Sequence, residues 1–179
     1  EYNKTKMVSE RDLLSFQDDM LVQVIRPATV CGISPRMRLD VAVNLLTMQA
    51  LEKGKITVFG GDQARPNIHM DDITDVYLHF IDYSKHTGVF NAGFENITIL
   101  DIANLITKYI PVDIVVTESY DPRSYRINSD KLLATGFKPK KTVEHAVQEI
   151  IESYRSGVLN DEDQFYNLKW MQKTGVVVE

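Results

Sequence analysis

The regular alternation of short apolar runs with longer helix-forming segments constrains the fold of this chain more than any other feature of its sequence. The run Met20–Ile25 is almost continuously apolar and is bounded by charged residues and Pro27, a pattern typical of a parallel strand that is buried on both faces. Further strands are predicted at 56–59, 67–70, 89–91 and 112–117. Because helical segments separate these strands, the pattern indicates an α/β fold.

Capping residues and glycines mark the ends of the helices. Gly54 is expected to end one helix, Thr98 and Thr142 are expected to begin two others, and Asp71 or Asp72 is expected to cap a fourth. The predicted helices are 3–16, 40–53, 71–83, 99–109, 129–135, 143–155 and 161–171. The apolar residues of the first helix do not fall on one stripe, so we expect this helix to contact two neighbours.

The composition argues against several classes of protein. With 179 residues, 44% of them hydrophobic and 25% charged, the chain has the profile of one soluble globular domain. A formal net charge of -5 argues against binding to nucleic acid or anionic lipid. Cys31 is the single cysteine, so no intrachain disulfide or multi-cysteine metal site can form. No apolar run approaches the roughly 20 residues that cross a bilayer, and no signal peptide is evident, so a cytoplasmic location without a membrane partner is predicted.

Tyr2 and Lys6 are four residues apart in the first predicted helix, which places both side chains on one helix face. A tyrosine, with a reference pKa of about 10, is a poor base near neutrality. A neighbouring ammonium group favours the phenolate, and a lysine also donates hydrogen bonds to the ribose hydroxyls of a cofactor. By itself this spacing fits either a proton-transfer pair or a solvated helix face.

Three short motifs follow the Tyr2/Lys6 helix along the chain. They are Arg26-Pro27-Ala28-Thr29-Val30-Cys31-Gly32, Thr57-Val58-Phe59-Gly60 and Arg65-Pro66-Asn67-Ile68-His69-Met70-Asp71-Asp72. In this order the motifs resemble the extended short-chain dehydrogenase/reductase family, in its branch of NAD-dependent nucleotide-sugar epimerases and dehydratases. The resemblance runs from residue 2 to about residue 157 and corresponds to the C-terminal portion of the usual family protein. The segment 32–38 also resembles a subgroup that includes dehydrogenases acting at C4 of nucleotide-linked sugars.

The resemblance implies the C-terminal part of a Rossmann-like doubly wound parallel sheet plus a smaller mixed α/β substrate-binding lobe. Residues 1–33 are expected to form the last part of the dinucleotide-binding lobe. Residues 34–179 are expected to form mainly the nucleotide-sugar-binding lobe, with segments in about 55–90 returning to the Rossmann sheet. The glycine-rich dinucleotide fingerprint occurs nowhere in this sequence. We therefore expect the chain to carry half of an active site and suspect a fragment.

The resemblance also assigns the residues on the cofactor side of the site. Tyr2 takes the role of catalytic base and acid, and Lys6 tunes it while binding the nicotinamide ribose. Pro27 and Ala28 are expected to lie against the nicotinamide, and Thr29 is expected to face the sugar. The implied cofactor is NAD, and NADP is left open because the residues that distinguish the two belong to the absent fingerprint region.

The contacts to a nucleotide-diphosphate sugar are assigned in the same way. Asn44 matches the asparagine that holds the diphosphate. The segment Thr57-Val58-Phe59 is expected to flank the base, although Val58 and Phe59 also suit the core positions of a strand. Arg65 and Arg123 match the two arginines that clamp the pyrophosphate, for which a guanidinium fork is well suited.

Some notable residues are interpreted as structural or left open. Cys31 replaces an aromatic residue that is usual in the family, and a small buried hydrophobe is favoured over a reactive thiol. No dedicated metal site is predicted, because the 4 histidines show no close ligand spacing. His69 and Asp72 are instead expected to hold a turn and cap a helix. The arginines left open between substrate contact and surface charge are Arg36, Arg38 and Arg126.

The predicted function is that of an NAD-dependent nucleotide-sugar epimerase, dehydratase or dehydrogenase. Hydride transfer is expected at a sugar carbon, most often C4, with Tyr2 as base and Lys6 as its partner. The alternative is a catalytically incomplete fragment or a non-enzymatic nucleotide-sugar-binding module. Because members of the family dimerise through a helix bundle, the two-faced helix at residues 3–16 predicts a homodimer.

Overall fold

The computed structural model describes residues 2–82, 85–119 and 123–176, with residue 2 described by its backbone alone. The helices are α1 (Tyr2–Leu14), α2 (Ala42–Lys53), α3 (Met70–Asp82), α4 (Ile99–Thr107), α5 (Asp130–Leu133), α6 (Val143–Arg155) and α7 (Asn167–Lys173), and a 3-10 turn (Asp163–Phe165) precedes α7. The strands are β1 (Gln23–Pro27), β2 (Thr29–Cys31), β3 (Lys55–Phe59), β4 (Ala64–His69), β5 (Gly88–Ala92), β6 (Glu95–Thr98) and β7 (Asp113–Thr117). The predicted α/β class is confirmed.

The strands of the described ranges form three small sheets. β1 lies parallel to β5, with Ile25 opposite Phe90, and β3 lies parallel to β7. In the third sheet β4 is central, parallel to β2 and antiparallel to β6. Ala28 links β1 directly to β2, and its N–H donates to the carbonyl of Ala92 at 2.8 Å. The chain therefore passes from the first sheet to the third at Ala28.

The segment 55–90 was expected to return in part to the Rossmann sheet. In the structure its strands belong to three different sheets. Residues 88–90 pair with β1, whereas β3 pairs with β7 and β4 lies between β2 and β6. The division of the chain at residue 33 stays a prediction.

The strand predicted at Met20–Ile25 begins later and is less buried than expected. β1 starts at Gln23, and the side chains of Met20 and Leu21 are 54% and 48% exposed. The prediction of a strand buried on both faces is wrong for the described chain. The reason is that the apolar cluster of α3 packs against this two-stranded sheet, whereas the residues of α1 leave it largely uncovered.

Helix α1 exposes most of its apolar side chains. Met7, Val8 and Leu13 are each about half exposed. The packing of this helix against two neighbours is not found within the residues that the structure describes. A carboxylate–guanidinium pair between Glu10 and Arg26 joins α1 to β1, so the helix lies beside the strand that leads to Pro27.

The largest core cluster lies where α2, α4 and α6 pack over β3, and it includes the fully buried Val43, Ile56 and Val147. A second cluster packs α3 against β5. A third cluster, which contains Leu39, joins α2 and α6 to the C-terminal segment. Helix α2 therefore packs on two sides. None of the helices in the described ranges is long and apolar enough to span a bilayer.

Most of the predicted helix ends are confirmed. Gly54 ends α2 in the left-handed conformation, the side chain of Thr98 accepts from the N–H of Asp101, and Thr142 forms a capping box with His145. Strand β6 was not predicted, because only three residues separate the loop 93–94 from the capping Thr98.

The start of α3 differs from the prediction. The helix begins at Met70, so neither Asp71 nor Asp72 precedes its first residue. The Asp71 N–H donates to His69 Nδ1 at 3.1 Å, and the Asp72 carboxylate is directed to the loop before α6. The prediction that Asp71 or Asp72 caps this helix is wrong, because a tertiary contact uses the Asp72 side chain. The prediction that His69 takes part in the cap is confirmed, since His69 precedes Met70 and its Nδ1 accepts the Asp71 N–H. The predicted end of this helix at Tyr83 lies outside the described residues.

Candidate functional site

A cavity of ≈ 490 Å³ lies where β1 passes into β2. It brings together four residues that the sequence assigns to the site: Pro27, Ala28, Thr29 and Asn44. The proline ring and the alanine methyl group give the wall a small apolar surface, and the threonine hydroxyl adds one polar group. An apolar wall with few polar groups fits the nicotinamide end of a dinucleotide.

The wall at Ala28 is tightly supported from behind. A Cβ atom at Gly93 would lie 2.5 Å from the Cβ of Ala28 and 2.6 Å from Cδ1 of Ile127. The Ser129 hydroxyl donates to the Gly93 carbonyl at 2.8 Å and fixes this loop. The backbone that carries Ala28 therefore has no room to move back, and the sequence analysis did not identify Gly93 or Ser129.

Asn44 holds the loop that forms another part of this cavity. Its side chain is buried, its Oδ1 accepts from the Gly32 N–H at 3.1 Å, and its Nδ2 donates to the Arg38 carbonyl at 2.8 Å. Gly32 has a φ of +99°, and a Cβ there would lie 3.0 Å from His69 Nε2, so the turn requires glycine. Asn44, which the sequence analysis expects to hold the diphosphate, is thus hydrogen-bonded to the loop 32–38.

A second cavity of ≈ 330 Å³ brings together Thr57, Phe59, Arg65 and Arg123. The Phe59 ring is 59% exposed, an unusual state for a large aromatic side chain in a strand. Val58 points to the opposite face of β3 and is buried in the core, because successive strand residues alternate between faces. The side chain of Val58 therefore does not line this cavity.

The main chain of β3 at this cavity is already bonded. The N–H of Thr57 donates to Oε1 of Gln49 at 3.0 Å, and the carbonyl of Val58 accepts from the Thr117 hydroxyl at 3.3 Å. Gln49 lines the same cavity and was not identified from sequence. The only sequence signal for Gln49 was a side-chain amide on the same helix as Asn44, more than one turn further along, and this signal is weak.

Arg38 and Asp40 form a partition between the two cavities, because Arg38 lines the first and Asp40 lines the second. The guanidinium donates from Nε to Asp40 Oδ1 at 2.8 Å and from Nη2 to Oδ2 at 3.0 Å. Burial of Asp40 opposes its ionisation, but the bonds from Arg38 and from the Asn167 N–H outweigh that effect and lower the pKa of the carboxyl group. The partition is therefore an ion pair between the Arg38 guanidinium and the Asp40 carboxylate.

The remaining predicted residues are placed as follows. Lys6 lies on α1 and lines neither cavity, and the side chain of Tyr2 lies outside what the structure describes. Arg36 lines the first cavity, whereas Arg126 is exposed and donates to the Asn96 carbonyl at 3.4 Å. The structure thus gathers the substrate-side residues into two cavities without bringing Lys6 to them.

One group of described residues has the composition of a metal site. Ligand atoms of His69, Asp71 and Glu149 lie within 4.8 Å of one another. However, Lys141 Nζ is 2.7 Å from Glu149 and 3.6 Å from Asp71, and His69 Nε2 is 3.0 Å from Glu149. The Glu149 carboxyl is partly buried, but its bonds from Lys141 and His69 lower its pKa. The Lys141 ammonium group already pairs with both carboxylates, so the cluster is explained as an ion-pair network within the protein.

Cys31 lies in the core, and its thiol donates to the Ile68 carbonyl at 3.5 Å. Burial raises the pKa of this thiol to about 12. We expect a thiol reagent at pH 8 to leave the native protein unlabelled and to label one equivalent after unfolding in guanidinium. Rapid stoichiometric labelling of the native protein would show that the thiol is accessible.

Taken together, helices that alternate with parallel strands and two cavities at the strand ends are typical of a Rossmann-like fold. The sequence model of the NAD dependent epimerase/dehydratase family matches residues 1–93. The chain belongs to this family.

Solved structures with the same fold support this assignment. UDP-N-acetylglucosamine 4-epimerase from Bacillus cereus is 20% identical, with a TM-score of 0.74 over 92% of this chain and 56% of the other. UDP-glucuronic acid 4-epimerase from Bacillus cereus, in complex with UDP-glucuronic acid and NAD, is 23% identical, with a TM-score of 0.74 over 87% and 52%. RMD from Pseudomonas aeruginosa, complexed with NADPH, is 20% identical, with a TM-score of 0.74 over 87% and 56%. The chain spans about half the length of these structures.

Proposed function

We propose that this chain forms the substrate-binding half of an NAD-dependent nucleotide-sugar epimerase, dehydratase or related oxidoreductase. The observation that carries the proposal is the pair of cavities that meet at Arg38 and Asp40. One cavity has the apolar wall of Pro27 and Ala28, and the other has an exposed aromatic ring with two arginines. A nucleotide sugar with its base and diphosphate in the second cavity would extend its sugar into the first, beside the wall that suits the nicotinamide.

The second cavity suits the nucleoside diphosphate. The Phe59 ring offers a face on which a base stacks, and Arg65 and Arg123 offer guanidinium forks to phosphate oxygens. The sugar then lies beyond the partition, against Thr29, and the nicotinamide lies against Pro27 and Ala28. Two structurally similar proteins were solved with UDP-sugars, which supports UDP as the first probe.

The proposed reaction begins at a sugar hydroxyl, most often that of C4. NAD, or NADP, would supply the hydride acceptor when bound. Tyr2 takes the proton of the hydroxyl while a hydride leaves the sugar carbon that bears this hydroxyl. Lys6 stabilises the phenolate form of Tyr2. The support for this pair is its spacing on α1, together with the attachment of α1 to β1 through Glu10 and Arg26.

We expect Arg65→Ala and Arg123→Ala each to weaken UDP binding by about tenfold, because each removes a charged hydrogen-bond donor from the diphosphate. Isothermal titration of the natively expressed protein measures the change. Arg155→Ala is the matched control, since Arg155 lies in the last turn of α6 and lines neither cavity. Equal UDP affinity in all three variants, or no UDP binding by the unaltered protein, would contradict the assignment of this cavity.

A nucleotide-sugar-binding module without catalysis is the second candidate, favoured by the position of Lys6, which lines neither cavity. Mass spectrometry of the natively expressed protein, with release of any bound dinucleotide, distinguishes the two. Released NAD or NADH supports the enzyme, whereas UDP binding without a dinucleotide supports the module. A homodimer through the exposed apolar residues of α1 is proposed on the family resemblance. The cytoplasmic location stays a prediction from the sequence.

A further inference from the structure

The C-terminal segment, defined here as residues 163–173, lies directly behind the Arg38–Asp40 partition. The N–H of Leu39 donates to the Phe165 carbonyl at 2.8 Å, and the N–H of Asn167 donates to Asp40 Oδ2 at 3.1 Å. These two bonds connect residues that are far apart in sequence, and the segment lies outside the residues 1–93 that match the family model. The partition is thus held from a part of the chain that the family match does not include.

The two side chains of the partition line the cavities, Arg38 the first and Asp40 the second. Asp40 uses the same oxygen, Oδ2, to accept from Asn167 and from Nη2 of Arg38. The Arg38 carbonyl accepts from Asn44, and the Leu39 side chain is fully buried in the third core cluster. This run is therefore held through the backbone at Arg38 and Leu39 and through the side chain at Asp40, whose carboxylate links the C-terminal segment to the Arg38 guanidinium.

We propose that the C-terminal segment is a positioning element of the substrate site. The Asn167 N–H orients the Asp40 carboxylate, and that carboxylate orients Arg38 at the boundary where the diphosphate of a nucleotide sugar passes between the cavities. Asn167 lines neither cavity and acts through Asp40. The inference rests on the proposed function for its ligand, but its structural part is independent of that function.

Asn167→Pro tests the link with little other change. Asn167 is the first residue of α7, where the backbone N–H has no partner within the helix and where proline is well tolerated. The preceding Tyr166 has φ -112° and ψ 108°, an extended conformation that proline prefers before it. The substitution therefore removes the N–H that Asp40 accepts. Asn167→Ala is the matched control, because it changes the side chain and keeps the N–H.

We expect Asn167→Pro to weaken UDP binding by about fivefold or more, and Asn167→Ala to stay within about twofold of the unaltered protein. Hydrogen exchange is the second readout: the amides of Leu39 and of the loop 32–38 should exchange faster in Asn167→Pro alone. Equal exchange in both variants, or UDP binding that is unchanged in Asn167→Pro, would overturn the proposal.

Two further outcomes remain decisive. If the unaltered protein does not bind UDP, the proposed function fails, and the exchange of the loop 32–38 still decides whether the C-terminal segment positions it. If Asn167→Pro does not fold, Asp40→Asn replaces it, because this change removes the charge that joins Arg38 to Asn167. Faster exchange of the Leu39 and Asn167 amides in Asp40→Asn, with weaker UDP binding, supports the link, and unchanged exchange there overturns it.

Discussion

Replacing Asp72 by alanine is expected to lower the free energy of unfolding by about 4 kcal/mol. The Asp72 side chain is fully buried, and its two oxygens accept the N–H groups of Lys140 and Lys141 at 2.9 and 3.1 Å. The change leaves both N–H donors without their acceptor and opens a small void in place of the buried carboxylate. It also releases the loop before α6 from the start of α3.

Asp75→Ala provides a matched control on the same helix. Asp75 pairs with Lys140 through the lysine ammonium at 2.7 Å, in a contact whose side chains are 34% and 71% exposed. An exposed ion pair contributes at most about 1 kcal/mol, so this variant should be nearly as stable as the unaltered protein. Urea unfolding measures both. A loss for Asp72→Ala no larger than that for Asp75→Ala would show that the buried carboxylate is not a structural support.

The second large effect concerns turnover. Tyr2→Phe is expected to lower kcat of the natively expressed protein by roughly 10²–10⁴ with UDP-sugars, because the variant has no group to take the hydroxyl proton. In the proposed arrangement the phenol acts on the sugar hydroxyl and not on the nucleoside diphosphate, so the Kd for UDP should stay unchanged. Steady-state kinetics and titration of the same preparation separate the two quantities.

Tyr77→Phe is the control for that substitution. Tyr77 is half exposed on α3 and lines neither cavity, so the loss of its hydroxyl should leave kcat and UDP affinity unaltered. If Tyr2→Phe turns over as fast as Tyr77→Phe, Tyr2 is not the base. If both bind UDP but neither the unaltered protein nor the variants turn over any UDP-sugar, the binding module is the better description.

Local signals in the sequence were sufficient for most of the secondary structure. Gly54 ends a helix because glycine adopts the left-handed conformation at little cost, and Thr98 and Thr142 begin helices because their hydroxyls accept N–H groups a few residues away. These interactions involve neighbours in sequence, so they can be predicted without a tertiary structure. The failure at Asp72 has the opposite origin, since its partners are 68 and 69 residues distant.

The candidate site also combines features that the sequence predicts with features that only the tertiary structure decides. The motifs placed Thr57, Phe59, Arg65 and Arg123 as members of one group, and the structure brings these four side chains to one cavity. The alternation of strand β3 removes Val58 from that cavity, which the motif alone did not indicate. The motif predicts which segment of the chain lies at the cavity. The packing of β3 on the core decides which of its side chains point into that cavity.

The sequence by itself determined the α/β class, the helix ends and the resemblance to a family, because each depends on residue types at short spacings. Only the tertiary structure decided that Arg38 and Asp40 divide two cavities and that the Asn167 N–H holds them from behind, 127 residues away from Asp40. The physical reason is that a backbone N–H is present at almost every residue and carries no sequence signal. Its partner is chosen by the packing of the whole chain.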